Sequence, residues 1–187
     1  MNISAIPNIL SGFRMLLIPP AIWMLLSGRY PAATAIISLA VSTDVLDGFL
    51  ARQFGWRSRA GAILDPVADK LLFASVFLTL GYLGHIEIWL MALVIGRDLI
   101  IAIGAFAYKK LIGPVVAAPS FISKMNTLML FFFTAALLLN LAGFAWVRDE
   151  YVEALRAVVV VTVVSSGLQY VWHWGYKAWE ARRPDES

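Results

Sequence analysis

The sequence contains no cysteine, and only two histidines, His85 and His173, occur in its 187 residues. The absence of cysteine excludes disulfides, zinc–thiolate sites, iron–sulfur clusters and cysteine nucleophiles, and two histidines so far apart do not suggest a histidine-based metal site. Charge is also scarce, because Asp, Glu, Lys and Arg make up 14% of the chain, against about a quarter in an ordinary soluble domain. Any chemistry must use oxygen and nitrogen ligands, and the dispersed basic residues do not indicate nucleic-acid binding.

Apolar residues are present in excess. Hydrophobic residues account for 60% of the sequence, and the mean hydropathy is +0.78. A soluble core could not hide this surplus, which is spread along the whole chain rather than confined to a removable N-terminal signal. These features exclude a soluble globular protein and predict an integral membrane protein formed by one domain, residues 1–187.

Six apolar segments predict six transmembrane helices. A helix crosses the hydrocarbon layer in about 20 residues and satisfies its own backbone hydrogen bonds there, and no alternating strand pattern is present, so the expected fold class is all-α. The breaks carry the Gly, Pro and charge that are typical of turns, and the stretch from Val147 to Tyr151 is one of them. The predicted spans are approximately residues 7–27, 31–52, 62–84, 87–108, 122–146 and 155–176.

The basic residues predict an orientation for these spans. If both termini face the cytoplasm, eleven Lys and Arg residues lie on the cytoplasmic side and three on the opposite side, with Arg97 inside the fourth span. This bias agrees with the positive-inside rule.

Carboxylates are concentrated near the cytoplasmic ends of the second and third spans, where ionised groups are costly and mark a functional site. Asp44 and Asp47 are spaced i, i+3, and Asp65 and Asp69 are spaced i, i+4, so each pair projects from one helix face. The short link 53–60 makes the two helices antiparallel neighbours and brings the carboxylates together. Four Asp residues suit one or two Mg2+ or Mn2+ ions, although each pair taken singly also fits a solvated helix cap.

The run from Asp44 to Asp69 resembles a specific family signature. It reads D-V-L-D-G-F-L-A-R, eight residues, and then G-A-I-L-D-P-V-A-D. This run is similar, without a gap, to the D-x2-D-G-x2-A-R-x8-G-x3-D-x3-D motif of the CDP-alcohol phosphatidyltransferase family. The six-helix plan of that family also matches the six predicted spans. Its members transfer a phosphatidyl group from a CDP-linked lipid to an alcohol and release CMP.

The resemblance implies roles for the motif residues at the cytoplasmic end of helices 2 and 3. Two divalent ions, Mg2+ or Mn2+, would neutralise the pyrophosphate and hold the reacting groups in line, and Asp69 would be the general base. The implied metal ligands are Asp44, Asp47, Asp65 and Asp69. The implied CDP-binding residues are Asn8, Gly48, Ala51, Arg52 and Gly61.

Similar enzymes hold the acceptor at the fourth span and at the start of the fifth, which implies acceptor binding by Arg97, Lys124 and Asn126. The N-terminal stretch looks like the family's first helix, in which Arg14 would face the same cavity as Asn8, and Arg14 is also assigned to the acceptor. Phosphatidylglycerophosphate synthases usually have Arg-Glu at the first place and K-x-K-T at the second, whereas this chain has Arg97-Asp98 and K-M-N-T. The missing cation disfavours doubly charged glycerol 3-phosphate. The stretch F-I-S-K-M-N-T looks like that of CMP-forming cardiolipin synthases. The expected acceptor is therefore phosphatidylglycerol, with glycerol 3-phosphate as the alternative.

The expected setting is the bacterial inner membrane, with the site facing the cytoplasm, because Met1 stands only a few residues before the first span and a mitochondrial transit peptide would need more. Similar proteins pair through their transmembrane helices, so we expect a homodimer that binds CDP-diacylglycerol, the acceptor and membrane lipids. A divalent-cation transporter using the same carboxylates is a distant alternative, because transporters commonly have related halves and this acidic cluster occurs once.

Overall fold

The structure is a computed structural model that describes the backbone of residues 6–54, 61–111 and 120–180, and the side chains of residues 12–43, 68–104, 106, 110 and 120–172. Over these ranges the chain forms six α-helices and no strand, which confirms the all-α prediction. The helices are α1 (Ile6–Leu26), α2 (Tyr30–Phe54), α3 (Gly61–Tyr82), α4 (Ile88–Leu111), α5 (Phe121–Leu141) and α6 (Asp149–Glu180).

The link between α5 and α6 departs most from the predicted spans. Helix α5 ends earlier than expected, and α6 begins at Asp149, so the prediction of a turn up to Tyr151 is wrong for its last residues. Asp149 and Glu150 occupy the first turn of α6, where the helix dipole favours negative charge. Charge at this point therefore marks a helix start rather than a break.

Three helices end in the same glycine-dependent turn. Gly28, Gly84 and Gly143 follow α1, α3 and α5 with φ angles of 69°, 80° and 82°, a conformation that L side chains rarely adopt. After α1 the amide of Arg29 donates to the carbonyl of Met24 at 2.9 Å, and the same pattern recurs after α3 and α5. These Schellman motifs satisfy carbonyls that the helix itself leaves without a partner.

The helices fall into two compact units. Unit 1 contains the described residues up to Ile86 together with Leu137–Val147. Unit 2 contains Glu87–Ala136 and the described residues from Arg148 onward. In unit 1, α1 packs against both α2 and α3, and in unit 2, α4 packs against α6.

Two side-chain contacts set the helix directions in unit 1. Tyr30, at the start of α2, shares a 2.8 Å hydrogen bond between its hydroxyl and Nε2 of His85, just after the end of α3. Arg14 on α1 bonds Asp69 on α3, and this contact, like the first, joins residues 55 positions apart. Helices α1 and α3 therefore run in the same direction, and α2 runs in the opposite direction.

In unit 2, polar contacts hold α4 parallel to α6. Glu87, just before the start of α4, pairs with Arg156 on α6. Arg97 on α4 bonds Ser166 on α6, and both contacts join residues 69 positions apart. The same positions of the two helices therefore stay side by side over the ten residues between these contacts, which is about 15 Å at 1.5 Å per residue.

Large apolar side chains lie exposed on the described helices. They include Ile95, Leu99 and Ile103 on α4 and Val161 and Leu168 on α6, and contiguous exposed apolar surface is unusual for a soluble monomer. Among the described residues, α5 and the Asp149–Trp172 part of α6 are long and apolar enough to cross a membrane. These observations support a membrane-associated protein.

Candidate functional site

Arg14 and Asp69 form an ion pair in unit 1. Nη1 of Arg14 donates to Oδ1 of Asp69 at 2.5 Å, and the side chains are 0% and 49% exposed, respectively. A charge-assisted contact to a buried guanidinium fixes the direction of the carboxylate, while half of the Asp69 side chain remains accessible. Asp69 thus combines a fixed orientation with access, as a general base or metal ligand requires. The sequence placed Arg14 on the acceptor side, and the structure brings it to the predicted base.

The four motif aspartates occupy one end of unit 1. Asp44 and Asp47 are one turn apart on α2, and Asp65 is one turn before Asp69 on α3. The hydrogen bond between Tyr30 and His85 joins the start of α2 to the end of α3. Each of the four aspartates lies about 14 to 20 residues from that bond along its own helix, which is roughly 21–30 Å. Because α2 and α3 run in opposite directions, their acidic segments reach a similar level.

The structure describes no side chain for the remaining residues that the sequence predicts to bind the metal ions or the CDP moiety. These are Asn8, Asp44, Asp47, Gly48, Ala51, Arg52, Gly61 and Asp65. Within the part of the chain whose side chains are described, there is no group of three or more His, Asp or Glu residues that could hold a metal, so the metal site stays a prediction. The chemistry of the donor set fits, because hard Mg2+ and Mn2+ ions prefer carboxylate oxygens.

Arg97 lies at the centre of a polar cluster in unit 2. Its guanidinium donates to Ser166 Oγ from Nε at 3.2 Å and from Nη2 at 2.8 Å, to Ser123 Oγ at 2.5 Å and to Asp98 Oδ1 at 2.6 Å. Its Cζ lies 5.9 Å from the centroid of the Tyr170 ring, within cation–π range. The Arg97 side chain is 10% exposed, whereas that of Asp98 is 64% exposed. Arg97 therefore connects α4 to both α5 and α6.

Asn126 and Lys124 lie on different sides of α5. Asn126 is 2% exposed, and its Oδ1 accepts a hydrogen bond from Thr162 Oγ1 on α6 at 3.1 Å. Lys124 is exposed, because two residues of helix turn the side chain by about 200°. Of the residues predicted on the acceptor side in unit 2, Lys124 is accessible, whereas Arg97 and Asn126 bond protein groups.

Sequence reasoning did not single out the hydroxyl groups that hold this cluster. Ser123, Thr162 and Ser166 are common residue types in membrane helices, where they serve interhelical hydrogen bonding and close packing. The available signal was Arg97 itself, because a cation within a span needs polar partners. The small triplet Ser165–Ser166–Gly167 interrupts the apolar part of α6 and is the sequence feature that supplies one of them.

Comparisons with known proteins agree with the motif. A CDP-alcohol phosphatidyltransferase family model matches residues 4–169. Rat CMP-forming cardiolipin synthase is 32% identical over 190 residues, which cover 92% of this chain and 62% of the rat protein. Rice chloroplastic CDP-diacylglycerol–glycerol-3-phosphate 3-phosphatidyltransferase 1 is 31% identical over 183 residues, 88% of this chain and 55% of its own length.

A bacterial relative covers a shorter stretch. The CDP-diacylglycerol–glycerol-3-phosphate 3-phosphatidyltransferase of Pseudomonas fluorescens is 42% identical over 105 residues, which are 52% of each chain. The chain spans 62% of the length of the rat and human cardiolipin synthases that it matches. Because the family model takes in the whole acidic motif and most of all six helices, the chain belongs to the CDP-alcohol phosphatidyltransferase family.

Proposed function

We propose that the protein transfers the phosphatidyl group of CDP-diacylglycerol to a glycerol-type alcohol and releases CMP, as a step of anionic phospholipid synthesis. The observation that carries this proposal is the Arg14–Asp69 pair, in which a buried cation orients the accessible carboxylate to which the family motif assigns the base role. The antiparallel course of α2 and α3, which brings their acidic segments to one end of unit 1, supports the same conclusion.

The reaction requires a proton acceptor and charge neutralisation. Asp69 takes the proton of the acceptor hydroxyl, whose oxygen bonds the phosphorus of the phosphatidyl group while the bond from that phosphorus to CMP breaks. When bound, one or two Mg2+ or Mn2+ ions supply neutralisation of the pyrophosphate. In this proposal the ions are held by Asp44, Asp47, Asp65 and Asp69, and the CDP moiety is held by Asn8, Gly48, Ala51, Arg52 and Gly61.

The proposed acceptor is phosphatidylglycerol. Arg14 bonds Asp69, and both Arg97 and Asn126 bond groups of unit 2, so a direct contact from any of the three to the acceptor would require these bonds to be exchanged. Lys124 is the accessible cation among the four residues implied by the resemblance. One cation matches the single charge of a phosphodiester better than the two charges of glycerol 3-phosphate.

The proposed setting is a bacterial inner membrane, with six helical spans, a cytoplasmic active site and a homodimer. The helices are 21 to 32 residues long, and about 20 residues suffice to cross the hydrocarbon layer. The excess of basic residues on one side of the spans supports the orientation. The exposed apolar side chains of α4 and α6 suit contact with acyl chains.

The deciding experiment measures CMP release by the purified protein with CDP-diacylglycerol and Mg2+ or Mn2+. Phosphatidylglycerol, glycerol 3-phosphate, inositol phosphate and serine are offered separately, and we expect release with phosphatidylglycerol. Asp69→Asn should be inactive, whereas Glu150→Gln, a matched change at an exposed carboxylate of α6, should retain activity. Release with glycerol 3-phosphate alone would overturn the acceptor, and no release with any alcohol would overturn the proposed activity.

A further inference from the structure

Helix α5 is joined to α6 by one direct polar contact and, one turn away, by a second contact that runs through Arg97 of α4. Thr162 Oγ1 donates to Asn126 Oδ1 at 3.1 Å. One turn earlier on α5, Ser123 Oγ accepts from Nη2 of Arg97, which also donates to Ser166 Oγ. Positions 123 and 126 are spaced i, i+3 and positions 162 and 166 are spaced i, i+4, so each pair shares one helix face. The order of the pairs makes the two helices antiparallel.

The opposite side of α5 is exposed. Phe121, Lys124, Leu128 and Phe131 recur at helical spacing and are all exposed, whereas Leu130, on the side of Asn126, is buried. A helix has one rotation about its axis at a time, so the contacts that bury position 126 also decide where position 124 points.

We propose that Asn126 is a positioning residue, which fixes the rotation of α5 through Thr162 and thereby directs Lys124 toward the acceptor phosphate. The role assigned to Lys124 rests on the proposed function, whereas the control of helix rotation does not. Residue 126 then determines acceptor specificity without touching the acceptor. A lysine in its place would put a cation at a position that is 2% exposed against Thr162, where a charge without a partner is costly.

A spectroscopic test measures the rotation of α5 and does not depend on enzyme activity. The chain lacks cysteine, so Lys124→Cys gives a single attachment site for a nitroxide spin label, whose mobility and accessibility to a water-soluble relaxation agent are read by EPR. The Thr162 hydroxyl also lies 3.0 Å from the Val159 carbonyl of its own helix, so Thr162→Val can remove the interhelical contact while it keeps the side-chain shape. We expect Thr162→Val to change both readings at position 124.

Two controls separate rotation from the general loss of a hydroxyl. Thr162→Ser keeps the donor and should preserve the spectrum. Thr134→Val removes a buried hydroxyl of α5 that bonds Leu130 O of the same helix at 2.9 Å, and it should also leave the label unaffected. A spectrum that Thr162→Val does not change, or that Thr134→Val changes equally, would overturn the proposal.

Kinetics then test the consequence for specificity. Thr162→Val should raise the KM for phosphatidylglycerol about threefold and leave the KM for CDP-diacylglycerol unchanged. A threefold change is equivalent to roughly 0.6 kcal/mol, the average contribution of an interhelical hydrogen bond in a membrane. Asn126→Lys should lower activity with phosphatidylglycerol and give no gain with glycerol 3-phosphate. A gain would show that side chain 126 reaches the acceptor, which overturns the positioning role. If the unaltered protein releases no CMP with any acceptor, the proposed function fails, while the EPR result still decides the rotation.

Discussion

The two partners of the Arg14–Asp69 pair should contribute unequally to stability, because Arg14 is fully buried and Asp69 is half exposed. Asp69→Asn removes this carboxylate charge from beside a buried guanidinium. Removing one partner of a fully buried pair costs about 3–5 kcal/mol, and the half exposure of Asp69 puts the expected cost at the lower end of that range. Arg14→Met keeps much of the apolar packing and leaves a carboxylate that water can hydrate, so its cost should approach the roughly 1 kcal/mol of a surface pair.

Thermal unfolding of the purified protein in one detergent, without divalent ions, measures this difference. For a chain of this size, 1 kcal/mol corresponds to about 2–4 °C in Tm. Asp69→Asn should therefore lower the Tm by roughly 6 °C or more, and Arg14→Met by about 2–4 °C. Equal shifts, or a larger shift for Arg14→Met, would refute the reasoning from burial.

Three further outcomes are expected. Asp69→Asn should abolish CMP release but retain binding of CDP-diacylglycerol in an equilibrium binding assay, and retained turnover would remove Asp69 from the base role. Chelation should stop CMP release and added Mg2+ or Mn2+ should restore it, so activity that persists in excess chelator would contradict the metal ligands. Gly84→Ala should lower the Tm by an amount equivalent to about 1 kcal/mol, because the φ angle of Gly84 is 80°, which strains a residue with a Cβ. Gly96→Ala is the control, because its added Cβ meets nothing within 4 Å, and it should leave the Tm unchanged or raise it.

Most of the fold could be predicted from hydropathy, because a bilayer-sized helix sets the length of each apolar segment. Helices α1 to α4 begin and end within a few residues of the predicted spans. The start of α6 could not be predicted by the same rule, because Asp149 and Glu150 count as a break in hydropathy although they stabilise a helix N-terminus. The glycines after α1, α3 and α5 are visible in the sequence, but their positive φ becomes evident only in the structure.

The candidate site was predictable where its chemistry depends on spacing within one helix. The i, i+3 and i, i+4 aspartate pairs are of this kind. The direction of Asn126 was not predictable, because it depends on the rotation of α5, which is set by Thr162 on another helix. The pairing of Arg14 with Asp69 likewise depends on how α1 packs against α3. The family assignment, in turn, leaves the divalent-cation transporter alternative without support.

Arg14 in unit 1 and Arg97 in unit 2 each have little exposure and each bond an accessible carboxylate, but the two pairs have different consequences. In unit 1, the carboxylate of Asp69 comes from a different helix than Arg14 and belongs to the acidic motif, so the buried cation orients a group that can react. In unit 2, Asp98 is the neighbour of Arg97 in sequence. The guanidinium donates its other hydrogen bonds to Ser123 and Ser166, which belong to two further helices. Because lipid offers no hydrophobic drive for helix association, such polar contacts are among the means of fixing helix positions. Arg97 therefore cross-links α4, α5 and α6 within unit 2, whereas the pair that contains the proposed base, Asp69, lies within unit 1.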